Sequence, residues 1–176
     1  VTGVQEDDGG AVELGVKFRS SEAGQVTGIR FFKTAGNTGT HTGRLWVKTG
    51  ASAGTLVPGA TVSFDNETAS GWQEGLFAVP VTIDPDTTYV ASYHTTSGRY
   101  AVGTSLAGSG VSNPPLRALR GGEDGPNGVY RYGAGGVYPT DSFGSANYLV
   151  DVLFATQSGP DEIAPLVAGV APVTDA

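Results

Sequence analysis

Gly50-Ala51-Ser52-Ala53-Gly54 has the Gly-x-Ser-x-Gly spacing of a nucleophile elbow, and Asp84 or Asp86 followed by His94 completes a triad in α/β-hydrolase order. An elbow needs a strand before its serine and a helix after it. Thr55-Leu56-Val57-Pro58-Gly59 cannot begin a helix of useful length, so the match reads as chance. Glycoside hydrolysis would need two carboxylates flanking the bond, about 5 to 9 Å apart. Asp65, Glu67, Glu74, Asp84 and Asp86 read more simply as turn residues or solvated strand positions, and no pair among them stands out.

Metal chemistry has few donors to draw on. The chain has 2 His and 0 Cys, which excludes thiolate sites and three-histidine zinc. Glu13 and Asp151 are the more interesting carboxylates, because Asp151 interrupts an otherwise apolar strand and a buried carboxylate must be paired, hydrogen-bonded or metal-bound. Hard oxygen donors of this kind suit a structural calcium. The competing reading, and the one the general behaviour of buried charges favours, is a salt bridge from Lys17, Arg19 or Arg30, or hydrogen bonds from loop amides. The acidic run Glu6-Asp7-Asp8-Gly9-Gly10 reads as a solvated, frayed terminus rather than as a ligand set.

Binding chemistry is better supplied. Tyr130-Arg131-Tyr132 lies between two long loops, with Tyr138 and Phe143 nearby in sequence. Aromatic faces can stack on the C–H face of a sugar, while Arg and His direct hydrogen bonds to hydroxyls or carboxylates. A two-residue period places Tyr130 and Tyr132 on one strand face and Arg131 on the other. Either tyrosine could instead be a core residue with its hydroxyl at the surface. His41, in Gly39-Thr40-His41-Thr42-Gly43, and His94, at a strand end, are further candidate contacts or else turn-stabilising residues. Trp46 and Trp72 read as core anchors.

The elements that must position these residues are strands. Short alternating or continuously apolar stretches punctuated by Gly, Pro, Asn and Asp predict about nine of them, over Glu13–Arg19, Gln25–Lys33, Arg44–Lys48, Ala60–Asp65, Trp72–Val79, Thr87–His94, Tyr100–Val102, Val129–Tyr132 and Tyr148–Phe154. The last is apolar on both faces apart from Asp151, which predicts a central strand. The segments Gly103–Gly128 and Gly133–Asn147 read as long loops, with one possible helical turn at Leu116–Arg120. The expected fold is all-β: an antiparallel β-sandwich, jelly-roll-like, with the long loops at one end.

At 176 residues the chain has the size of one β domain with a substantial core. The sandwich is expected over residues 1–157, with 1–12 frayed. A linker and the start of an immunoglobulin-like domain are expected over 158–176, where Ser158-Gly159-Pro160-Asp161 gives way to Leu166-Val167-Ala168-Gly169-Val170. Val1 reads as the start of a processed or excised piece. A net charge of -7 repels nucleic acid and anionic membranes, and no apolar run is long enough to span a bilayer. Lacking both Cys and Met, the chain resists oxidation, which fits an extracellular or cell-surface location.

Several blocks together carry a family resemblance: Glu13–Phe18, Gly28–Lys33, Asn37–Gly43, Asn66–Gln73, Thr88–His94, Asn127–Gly133 and Tyr148–Phe154. They resemble the bacterial DUF4082 family, a domain of unknown function whose members sit in long secreted or surface proteins, often beside immunoglobulin-like repeats and polysaccharide-active enzymes. Membership supplies no activity, but that context together with the aromatic and Arg/His placement points to a non-catalytic accessory module whose partners are a polysaccharide or glycan and the neighbouring domains. The resemblance also implies an aromatic strand before Glu13, which the acidic opening does not supply. The ligand residues expected are Arg131, Tyr130, Tyr132, His41 and His94, with Glu13 and Asp151 as the possible calcium ligands. The alternatives are a structural spacer or adhesion-stalk domain, and then an unrecognised polysaccharide-active enzyme.

Overall fold

The computed structural model describes residues 3–156. The domain end expected near Gln157, the linker and the segment Leu166–Val170 lie outside the described residues. Thirteen strands and no helix are found among those described: β1 Val4–Asp7, β2 Val12–Ser20, β3 Gly24–Lys33, β4 His41–Gly50, β5 Ala53–Ser63, β6 Gly71–Ile83, β7 Tyr89–Thr95, β8 Arg99–Val102, β9 Val111–Asn113, β10 Leu116–Ala118, β11 Val129–Tyr132, β12 Asp141–Ser142 and β13 Val150–Thr156. No helix among the described residues is long and apolar enough to cross a membrane.

The larger sheet runs β12-β11-β2-β7-β4-β5, with β10 on the other stretch of β2 and β9 on β10, and the smaller sheet runs β13-β3-β6. A separate ribbon pairs β1 with β8. The chain enters the larger sheet at β2, crosses to β3, returns for β4 and β5, crosses to β6, returns at β7 and finishes on β13. The result is a double-sheet, jelly-roll sandwich of antiparallel strands.

Alternation builds the core. Leu14, Val16 and Phe18 of β2 face Ile29 and Phe31 of β3 across the sandwich, together with Leu45, Ala91, Tyr93, Ile83 and Val152. Phe31 stacks on Tyr93 with ring centroids 4.3 Å apart and meets the edge of Phe64 at 4.9 Å. Burying an aromatic ring of this kind contributes about 2 kcal/mol through lost apolar surface alone. Val26 and Ile29 are both buried although three residues apart, because a register shift between Val26 and Gly28 resets the phase of β3.

The outer face of the larger sheet carries a small apolar patch among charged residues: Trp46, Val90 and Val129 form a second cluster, capped by Tyr138. The Gly-rich stretches expected at one end of the sandwich therefore also run across this face. Asn127 fastens one of them by accepting from the Lys17 amide at 2.7 Å and donating to the Lys17 and Leu119 carbonyls. Asp124 fastens it again, accepting from Lys48 and Thr88 at 2.6 Å and from Arg19 at 3.2 Å.

Three local expectations are corrected. Leu116–Ala118 is strand β10, paired with Phe18–Ser20, and not a helical turn. Strand β13 is the edge of its sheet rather than its centre, and it begins at Val150 because Leu149 adopts a left-handed φ of 51° that breaks the extended chain before it. The acidic opening is solvated but not frayed: Glu6 and Asp7 pair with Tyr100 and Arg99 of β8, and Val12 is buried.

Candidate functional site

Where the β1–β8 ribbon meets β11 and the segment 143–148, the surface opens into a cleft of about 460 Å³. Its walls come from Glu6 and Asp8, from Tyr100 and Val102 of β8, from Tyr130 and Tyr132 of β11, and from Phe143 and Tyr148. The β11 alternation turns both tyrosines into the cleft. Tyr148 reaches it because Gly128, with φ 64°, lets the following chain pass closely: a side chain there would collide with the Ala146 carbonyl. The left-handed turn at Leu149 follows immediately.

The four tyrosines form a continuous edge-to-face array. Tyr132 meets Tyr130 at 5.3 Å, Tyr130 meets Tyr148 at 6.4 Å, and Tyr148 meets Tyr100 at 5.6 Å between ring centroids. Tyr100 and Tyr148 are buried at the floor, whereas Tyr132 is 52% and Phe143 79% exposed at the mouth. Asp8 organises the array: its Oδ2 accepts from the Tyr100 hydroxyl at 2.8 Å and from the Tyr132 hydroxyl at 2.7 Å. That pairing, followed by burial, pushes the Tyr132 pKa up to about 12. Burial comes first in raising the pKa of Tyr100 and of Tyr148. These hydroxyls therefore keep their protons across the physiological range, and a ligand would meet aromatic faces with a carboxylate among them.

Of the residues expected to bind, Tyr130 and Tyr132 line this cleft. Arg131 points away, as the alternation requires, toward Thr140 at 3.4 Å and Asp141 at 3.8 Å. His41 is buried in the core and not in an exposed loop: its Nδ1 lies 2.6 Å from Glu67 and its Nε2 2.9 Å from Asn37. His94 is buried too, donating from Nε2 to the Gly133 carbonyl at 2.8 Å beneath the 133–140 loop. The two histidines thus brace loops, the second of the roles their positions suggested. Sequence reasoning missed Asp8, Glu6, Tyr100 and Tyr148.

The carboxylates expected to take calcium are on different sheets. Glu13, on β2, is fully buried and accepts from Arg44 at 2.8 Å, from Ser92 at 2.6 Å and from the Gly136 amide at 3.3 Å. Ser92 in turn accepts from the Trp46 indole at 2.8 Å. Asp151, on β13, is half exposed and accepts from Arg30 at 2.7 Å, directly across the strand pair. The structure does not bring them together, and each already has an arginine. Among the described residues no group of three or more His, Asp or Glu side chains is placed to hold a metal.

Ser52, the serine of the Gly-x-Ser-x-Gly match, is exposed in the tight turn between β4 and β5, where Gly50 pairs with Ala53. No helix follows it.

An all-β sandwich with an aromatic cleft at one edge is the class of protein defined by these features. The family described as domain of unknown function (DUF4082) matches residues 1–150, and the chain belongs to it. Searches of the curated proteins and of the solved structures found no match.

Proposed function

We propose that this domain is a non-catalytic accessory module of a secreted or cell-surface multidomain bacterial protein, and that it binds glycan in the tyrosine cleft. The observation that supports the reading is the array Tyr100, Tyr130, Tyr132 and Tyr148 around Asp8, in a cleft of about 460 Å³. That volume lies in the range of small-ligand sites. Tyrosine rings give a sugar apolar contact at low entropic cost, and the carboxylate fixes its hydroxyls by accepting their hydrogen bonds. The rings are locked by one another and by Asp8, so little ordering cost remains on binding.

The test is calorimetric titration of the domain with soluble polysaccharides and their oligosaccharides, repeated with Tyr132→Ala. Binding that disappears in the variant supports the cleft. Release of reducing ends during the titration would turn the reading toward an enzyme.

A structural spacer or stalk is the second reading, and the Asp8 bonds favour it in one respect. They tie β1 to β8 and β11, which is what a domain needs to keep its first strand in place under load.

A further inference from the structure

We propose that the cleft is selective for saccharides carrying a free primary ammonium, the chemistry of a glucosamine unit whose amine is not acylated. This rests on the glycan-binding reading and narrows its ligand class. Two carboxylates, Glu6 and Asp8, line the cleft, and none of the residues around it is Lys, Arg or His. The cleft is a site of uncompensated negative charge on a chain whose net charge is already -7.

The hydrogen-bonding polarity points the same way. Tyr100 and Tyr132 spend their hydroxyl protons on Asp8 Oδ2, so toward a ligand those oxygens offer lone pairs. Asp8 Oδ1 accepts from no group among the described residues, and the two tyrosyl bonds to its sister oxygen hold the carboxylate in one orientation. A site whose groups are acceptors needs a ligand rich in donors. An ammonium has three N–H donors and no acceptor.

The aromatic faces add to this. The negative face of a tyrosine or phenylalanine ring attracts a cation within about 6 Å of its centroid. Tyr132 and Phe143, both exposed at the mouth, present such faces beside the two carboxylates. A neutral hexose could stack on the same rings but would bury charge without pairing it, and a uronic acid would be repelled by Glu6 and Asp8.

The discriminating experiment is calorimetric titration of the domain with four tetrasaccharides: a glucosamine oligomer, its fully N-acetylated counterpart, cellotetraose and an oligogalacturonate. The glucosamine oligomer is expected to bind at least about tenfold more tightly than the N-acetylated one, the worth of one charge-assisted hydrogen bond. Raising the salt should erode that preference. Asp8→Asn should remove it, Glu6→Gln should weaken it by about twofold, and Asp65→Asn, outside the cleft, should leave it intact. Should Asp8→Asn fail to fold by its thermal midpoint, Glu6→Gln and Tyr132→Phe decide the matter. Equal affinity for the N-acetylated or neutral oligomers would overturn the ammonium proposal and leave glycan binding standing. An ammonium preference equally sensitive to Asp65→Asn would overturn it as general surface charge. Binding of none of the four would overturn this proposal and count against the wider reading.

Discussion

Asp8 and Tyr132 stand 124 residues apart in the chain and share a 2.7 Å hydrogen bond. The Tyr100 hydroxyl joins the same carboxylate oxygen from β8. One exposed acidic residue thus gathers three separate stretches of chain around the rim and floor of a cleft.

Removing either hydroxyl should loosen that junction. Tyr100→Phe keeps the ring, which is buried, and deletes a bond to a charged acceptor, so a loss of about 2 kcal/mol is expected. Tyr132→Phe, at the exposed rim, should cost less. Urea unfolding of both variants checks the order; a larger loss in Tyr132→Phe would contradict the placement of the two residues.

A different ring governs the mildly acidic range. Burial is the largest influence on His41 and lowers its pKa below the ordinary 6.5, with hydrogen bonding and charge from Glu67 opposing and the charges of Lys33 and His94 assisting. The unfolded chain, where the ring titrates normally, therefore takes up a proton first as pH falls. Stability is fully present above about pH 6.5 and declines as pH drops through that value. Unfolding midpoints measured from about pH 7.5 to 5 should fall in the native domain and fall less in His41→Gln. A native profile that is flat over this range would contradict the burial of the ring.

Asp124 sets the behaviour at lower pH. Hydrogen bonding from Lys48, then from Thr88, with charge from Lys48 and a bond from Arg19 adding to it, brings its pKa from 3.8 down to about 2. The stability it contributes is present above pH 3.8 and is lost as pH falls toward 2. Asp124→Ala should also leave Arg19 and Lys48 close together without their shared anion. A cost of about 2 kcal/mol is expected, between the values for exposed and buried pairs. The 119–128 stretch should then exchange its amide hydrogens faster; unchanged exchange there would contradict the anchoring role.

Metal removal should do nothing. Glu13 is neutralised by Arg44 and Asp151 by Arg30, so EDTA is expected to leave the thermal midpoint where it is. By contrast, Glu13→Ala leaves Arg44 nearly buried without its partner and should cost about 3 kcal/mol. A midpoint lowered by EDTA and restored by calcium would contradict this assignment of the two carboxylates.

Much of the sandwich was legible because alternation reports burial directly. Leu14, Val16 and Phe18 on β2 announce a strand with an apolar inner face, whereas the burial of its outward Glu13 and Lys17 under the loops leaves no such pattern. The elements that escaped are two to four residues long, such as Val4–Asp7 and Leu116–Ala118, where little period can develop and pairing with β8 or with Phe18–Ser20 decides the conformation. In β13 an apolar composition suggested a central strand, yet it is an edge strand on which only Val150 and Val152 are buried. Tyr130 and Tyr132 were legible as a pair through their spacing. Asp8 was not, since an acidic terminus reads as solvated and its partners lie 92 and 124 residues away. Arg44, which claims Glu13 from two strands away across the larger sheet, leaves no local trace either.

The central claim is that the tyrosine cleft is a preformed glycan site. Its most direct measurement is calorimetry of the intact domain against the oligosaccharide set, beside Tyr132→Ala and Arg131→Ala. The expected result is saturable binding that is lost in Tyr132→Ala and retained in Arg131→Ala, because Arg131 faces the opposite side of β11. Binding lost in Arg131→Ala but kept in Tyr132→Ala would contradict the account.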